Sequence, residues 1–238
     1  MIPLRIDQQT VISRPSWKEV MEKVKELWDQ DYFITDFDYG NGIYRVVMSD
    51  GTGWDGQAVR YGKSFPENEV DELWGKGYNI TNVTFDGSDW IVVMTGNTGI
   101  SRQRWFTRNS WESFKQAIDQ GWEDGKVITK IAYGNGTYCG IMCSGFNWSQ
   151  RWTYIPGEIT QQHLNEIYTD DKIVTEAFEV NGGLFLVLSG NTGYNVQRMS
   201  QSPNWDWISQ KLTEYWNQGL NVTTIGYYRG EWILLMSR

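Results

Sequence analysis

Apolar positions along this chain follow two periods in turn, and the switch from one to the other recurs five times. Trp17, Val20, Val24, Leu27 and Trp28 fall at offsets 0, 3, 7, 10 and 11, the single stripe of a helix with a 3.6-residue period. Ser16 precedes the stripe and Glu19 follows Ser16 by three residues, the order of a capping box. The eleven-residue spacing returns in Trp111 and Trp122 and in Trp205 and Trp216; eleven residues complete almost three turns, so each pair shares a face. Behind the helix the pattern becomes that of strands. First strands are predicted over 80–85 and 128–133, followed by turn residues at Gly40-Asn41-Gly42, Asp86-Gly87, Gly134-Asn135-Gly136 and Asn181-Gly182. Second strands over 44–48, 90–94 and 184–188 are apolar on both faces, which predicts the buried centre of a sheet. A glycine loop and a more polar third strand carrying Gln57, Gln103, Gln150 or Gln197 complete the unit.

Short landmarks fix the period. Ile34-Thr35, Ile80-Thr81, Ile128-Thr129, Val174-Thr175 and Val222-Thr223 are separated by 46, 48, 46 and 48 residues. Six residues before each stands Trp28, Trp74, Trp122, Tyr168 or Trp216, and fourteen after stands Met48, Met94, Met142, Leu188 or Met236. Five copies predict an α+β repeat protein, one domain over 1–238 with repeats at about 14–61, 62–107, 108–154, 155–201 and 202–238. The last copy stops before its third strand, while residues 4–13, with Gln9 lying 25 residues before Ile34, read as a third strand lacking its partners. The expectation is a closed, propeller-like ring of five blades, each of three antiparallel strands and one helix. The N-terminal strand would pair with the hairpin over 222–236 to complete the last blade, because an open array leaves bare edges.

The assembled motif is Trp74-x-x-Gly77-Tyr78-x-Ile80-Thr81, then Trp90-x-Val92-Val93-Met94, then Thr98-Gly99 and Gln103. Over essentially the whole chain it resembles the tryptophan-rich repeat at the C-terminal end of plant casein-kinase-I-like protein kinases. It is similar, too, to repeats attached to bacterial proteins with kinase or caspase-like domains. The resemblance implies a non-catalytic accessory domain, although no kinase domain accompanies the repeats in this sequence.

Composition narrows the partners. The 238 residues are 40% hydrophobic and carry a net charge of −8, so the field of the protein repels phosphate backbones and anionic lipid heads, and neither nucleic acid nor membrane is expected. No apolar run reaches the roughly 20 residues of a membrane span and no signal-like segment opens the chain, so a cytoplasmic, monomeric protein is expected. Cys139 and Cys143, on one face of a strand about 13 Å apart at ~3.3 Å per residue, are beyond disulfide reach and read as core residues. With His163 the single histidine, neither a zinc site nor a cysteine–histidine nucleophile can be assembled, and no cofactor or metal is expected. The chain is therefore not expected to be an enzyme. A distant alternative, a hydrolase using acidic residues, would rest on pairs such as Asp170-Asp171 and Glu123-Asp124, which lie where solvated turns are common.

Of the 14 tryptophans, Trp28, Trp74, Trp122 and Trp216 close helix stripes and Trp90 and Trp232 hold matching places in second strands, the repetition that core packing demands. The residue after the glycine loop differs. The loops Thr52-Gly53-Trp54 with Gln57 and Thr192-Gly193-Tyr194 with Gln197 combine an aromatic, a tight turn and a carboxamide, while Thr98-Gly99 with Gln103 has Ile100 in the aromatic's place and the third loop, with Trp148 and Gln150, breaks the Thr-Gly pattern. Such a set suits stacking plus hydrogen bonding to a ligand. The other reading of the same loops is a positive-φ turn whose glutamine satisfies backbone groups of the next blade. Two functions follow: a protein or peptide interaction or sensor module, or a multivalent glycan or small-molecule binder working through these loops.

Overall fold

The computed structural model describes residues 4–168 and 171–238, which form two compact units, 4–146 and 147–238. Each unit is assembled from one repeating element: a strand, a helix and a hairpin contributing to a single three-stranded antiparallel sheet.

The first unit holds three copies. These are β1 (Gln9–Arg14), α1 (Trp17–Trp28), β2 (Phe33–Gly40) and β3 (Ile43–Ser49); β4 (Gly56–Gly62), α2 (Glu67–Gly75), β5 (Asn79–Phe85) and β6 (Trp90–Gly96); and β7 (Ser101–Arg108), α3 (Trp111–Glu123), β8 (Val127–Gly134) and β9 (Thr137–Ser144). The second unit holds two: β10 (Ser149–Ile155), α4 (Gln161–Ile167), β11 (Lys172–Val180) and β12 (Gly183–Gly190); and β13 (Gln197–Ser202), α5 (Trp205–Trp216), β14 (Asn221–Tyr228) and β15 (Glu231–Ser237). Strand order in every sheet places the last strand of the copy in the middle, as in β1-β3-β2 and β13-β15-β14. Those central strands are the apolar runs of the sequence, and they are buried almost end to end because both of their edges and both of their faces are covered.

This order corrects the expected closure. Residues 9–14 do not pair with the C-terminal hairpin; they pair with β3 of their own copy, Gln9 opposite Ser49 and Arg14 opposite Tyr44. The hairpin over 222–236 has no vacant edge to offer, since β14 lies on one side of β15 and β13 on the other. The glutamine strand thus opens its repeat instead of ending the preceding one, and the unit is strand, helix, strand, strand. Both frames share the same spacings, which is why the spacing alone did not choose between them.

Helix ends follow the sequence closely. Ser16, Ser110, Thr160 and Asn204 cap α1, α3, α4 and α5 by accepting a backbone N–H of the first turn. The Trp-x-x-Gly motif is a helix C-terminus. In the second copy the N–H of Gly77 donates to Trp74 O and that of Tyr78 to Leu73 O, and the pattern recurs at Gly125 and Lys126 and at Gly219 and Leu220. These are Schellman closures, which need a residue with positive φ, met at 88°, 70° and 76° by the three glycines and at 61° by Asp31 in the first copy. Hairpin turns at Asn41-Gly42, Asn135-Gly136, Asn181-Gly182 and Arg229-Gly230 have positive φ at both residues, the twist-matched turn for two-residue loops. No helix among the described residues is long and apolar enough to cross a membrane.

Candidate functional site

The loop residues singled out by sequence resolve into a repeated structural joint. The first strand of each copy bulges at its Ile-Thr or Val-Thr pair, shifting register between Ile34 and Asp36, Ile80 and Asn82, Ile128 and Lys130, Val174 and Glu176, and Val222 and Thr224. The threonine hydroxyl turns inward to the end of the central strand, as Thr35 does to Ser49 at 2.7 Å, Thr81 to Thr95 at 2.7 Å and Thr175 to Ser189 at 2.7 Å. The residue before it presents its backbone groups to the glutamine of the following copy. Gln57 Oε1 accepts from Ile34 N–H at 2.8 Å and from Trp28 Nε1 at 3.1 Å, while Nε2 donates to Ile34 O at 2.9 Å and Thr95 Oγ1 at 3.0 Å.

Gln103 makes the same pair of bonds to Ile80, and Gln197 to Val174. Gln150 donates to Ser189 Oγ at 2.9 Å. The carboxamides of Gln57, Gln103 and Gln197 are therefore occupied by main chain, replacing ladder bonds that the bulge removes. The loops serve the same joint. Gly53, Gly99 and Gly193 have φ of +73°, +69° and +87°, and the hydroxyls of Thr52, Thr98 and Thr192 accept from the N–H two residues on. Trp54 is 8% exposed, with Phe33 edge-on to it at 6.3 Å, while Trp148 and Tyr194 are half-buried. The three glutamines bond main chain as the turn-and-backbone reading expected, but that of the preceding copy and not of the next one.

Groups able to do chemistry are engaged elsewhere. Cys139 and Cys143 are buried free thiols, and burial pushes both above the ordinary thiol range, away from the nucleophilic thiolate. His163 is the N3 residue of a full capping box: its Nδ1 accepts from Thr160 N–H at 3.1 Å, and its own N–H donates to Thr160 Oγ1 at 3.3 Å. Of the acidic pair Asp170-Asp171, Asp170 lies outside the described residues. Asp124 of the other pair faces Arg104 at 3.9 Å and Lys126 at 3.5 Å on the surface. Among the described residues no group of three or more His, Cys, Asp or Glu side chains is placed to hold a metal.

A recess lies on the first two copies of the first unit. A cavity of about 580 Å³ opens between the outer face of α1, with Trp17, Met21 and Lys25, and the β5–β6 hairpin, with Asp86, Asp89 and Ile91. Its floor is aromatic, because Trp17 packs on Tyr44 with ring centroids 5.3 Å apart and on Phe37 at 5.6 Å. The Tyr44 hydroxyl donates to Asp86 Oδ2, and burial with that carboxylate raises the phenol well above its usual range. Tyr61, near the end of β4, forms the rim and is 68% exposed, the largest exposure of any described apolar or aromatic side chain of its size. On its other side Tyr61 lines a second cavity of about 600 Å³, bounded by Phe65, Glu67 and Glu69 at the start of α2, by Thr107 near the end of β7 and by Asn109 just after it. One exposed ring thus divides two recesses. Sequence reasoning missed this site because its landmarks lay elsewhere in the unit: the position four residues after the glutamine holds Tyr61 here, Thr107 in the third copy and Tyr154, 37% exposed, in the fourth.

A family model described as a domain of unknown function, DUF7477, matches the chain twice, over residues 9–107 and 100–238. No curated protein and no solved structure matches it. The matches begin at the first residue of β1 and run to Arg238, so all five strand–helix–hairpin copies lie within them: the chain belongs to the DUF7477 family.

Proposed function

We propose that this domain is a non-catalytic recognition module that docks a peptide segment of another protein across the Tyr61 rim. The observation carrying this reading is the rim itself, an exposed tyrosine between two recesses of about 580 and 600 Å³, each within the size range of ligand pockets. Tyrosine is a favoured anchor in protein recognition because it offers a large rigid face and a hydroxyl at little entropic cost. An elongated ligand that crosses the ring uses both recesses, which a single small molecule does not. The engagement of Cys139, Cys143 and His163 in packing and capping supports a role without catalysis, and the resemblance to kinase-attached accessory repeats points the same way.

The glycan alternative draws support from the half-buried rings of Trp148 and Tyr194, but the occupied carboxamides of Gln57, Gln103 and Gln197 count against it at the loops.

Panning a random peptide library on the protein is expected to return binders whose affinity falls about tenfold, ~1.4 kcal/mol, on Tyr61→Ala. Binders indifferent to Tyr61→Ala, or none at all, would overturn the reading, and a glycan array bound in their place would favour the alternative.

A further inference from the structure

Resting on that reading, we infer that the segment received across Tyr61 is basic: an extended stretch in which a lysine or arginine stacks on the Tyr61 ring and reaches the carboxylates of Glu67 and Glu69. Charge and geometry select this chemistry. The second cavity carries Glu67 and Glu69 and no cationic side chain among its lining residues. Both are exposed at the start of α2, and neither forms an ion pair with any described residue, whereas Glu72 one turn on is held by Lys76 at 2.6 Å. The first cavity adds Glu22, Asp86 and Asp89 against Lys18 and Lys25, but Asp89 is paired with Lys63 at 3.2 Å and Asp86 accepts the Tyr44 hydroxyl, so Glu67 and Glu69 are the carboxylates left open to a ligand.

An anion would meet this field with repulsion, and a neutral chain would leave Glu67 and Glu69 unmatched. A guanidinium or ammonium over the exposed face of Tyr61 gains a cation–π contact, and its flanking methylenes cover the ring. The protein already uses this contact on itself, with Lys115 Nζ 5.8 Å from the Trp111 ring and Lys211 Nζ 5.7 Å from Trp207. The net charge of −8 extends the preference over distance and speeds encounter with a basic partner at low salt.

The test uses the whole chain and three fluorescent peptide pools of about twelve residues, ~40 Å when extended, with alternate positions fixed as Arg or Lys, as Ser or Gln, or as Asp or Glu. Fluorescence polarisation is expected to show binding of the basic pool alone. That binding should weaken about tenfold on Tyr61→Ala and again on Glu67→Gln with Glu69→Gln, and with rising salt. The three positions are exposed, so circular dichroism of the variants should match the parent. Tyr61-dependent binding of the neutral or acidic pool would overturn the basic-segment inference and leave the peptide-docking reading standing. Basic-pool binding that ignores Glu67→Gln with Glu69→Gln would overturn it as well, by making the attraction non-specific. Failure of all three pools to bind in a Tyr61-dependent way would remove the docking reading along with it.

Discussion

At the scale of single residues, Gln57, Gln103 and Gln197 are backbone surrogates. A bulge takes one residue out of the ladder, and the neighbouring peptide would otherwise be buried with its N–H and C=O unpaired. Gln103 answers both groups of Ile80 at 2.7 and 2.9 Å and is itself buried. Gln103→Leu keeps the volume and removes every bond, so it is expected to cost about 3 kcal/mol, from two main-chain groups stranded at ~1–3 kcal/mol each. Urea denaturation measures the loss directly, and an unchanged midpoint would mean that water replaces the carboxamide. The landmark positions of this joint were legible in the sequence, and their purpose was one of two readings that the sequence left open. A glutamine three residues after an aromatic looks equally like a ligand contact and a main-chain lock, and only the distance to Ile34, Ile80 or Val174 separates the two. Tyr61 was illegible for the opposite reason. Repetition is the signal that sequence reading amplifies, and this position, which reads Tyr61, Thr107 and Tyr154 in successive copies, repeats too loosely to be heard.

Among elements, the clearest departure from repeat symmetry is the end of α1. Where the other Schellman closures place Gly77, Gly125 and Gly219, the first copy has Asp31 at φ 61°. A β-carbon in the left-handed region is unfavourable by ~1–2 kcal/mol for most residues and less for aspartate, whose side chain tolerates it. Asp31 is exposed and its backbone already makes the closing bond to Trp28 O. Asp31→Gly is therefore expected to stabilise the protein by about 0.5–1 kcal/mol, read as a rise in melting temperature. A fall would indicate that the aspartate contributes through a contact of its own. The first helix, the turns at Asn41-Gly42, Asn135-Gly136 and Asn181-Gly182 and three of the central strands were readable in advance, since caps, turn residues and two-sided apolar runs are local signals, whereas the Arg229-Gly230 turn was not. The pairing of β1 was not, because strand partnership depends on which edges are free and local pattern does not encode that.

Across the whole molecule, each repeat contributes one polar side chain at its bulge: Asp36, Asn82, Lys130, Glu176 and Thr224, all buried. Within the first unit three of them meet. Asp36 Oδ1 accepts from Asn82 Nδ2 at 2.8 Å and from Lys130 Nζ at 2.5 Å, so one carboxylate ties together three sheets far apart in sequence. Asp36→Asn removes the negative charge and leaves the buried ammonium of Lys130 without this counter-ion, which is expected to destabilise by about 3 kcal/mol. Because three sheets lose their common partner together, the urea transition should shift without a change in slope. A second, separate transition for the first unit would show instead that the sheets melt independently.

One consequence of the corrected pairing concerns how the chain is born. Every sheet is complete within a single unbroken stretch, from its glutamine strand to the last residue of its hairpin, and no strand waits for a partner encoded at the far end of the message. A polypeptide leaving the ribosome at ~5–20 residues per second can close each sheet as it emerges, with Gln57, Gln103 and Gln197 each arriving to lock the copy before it.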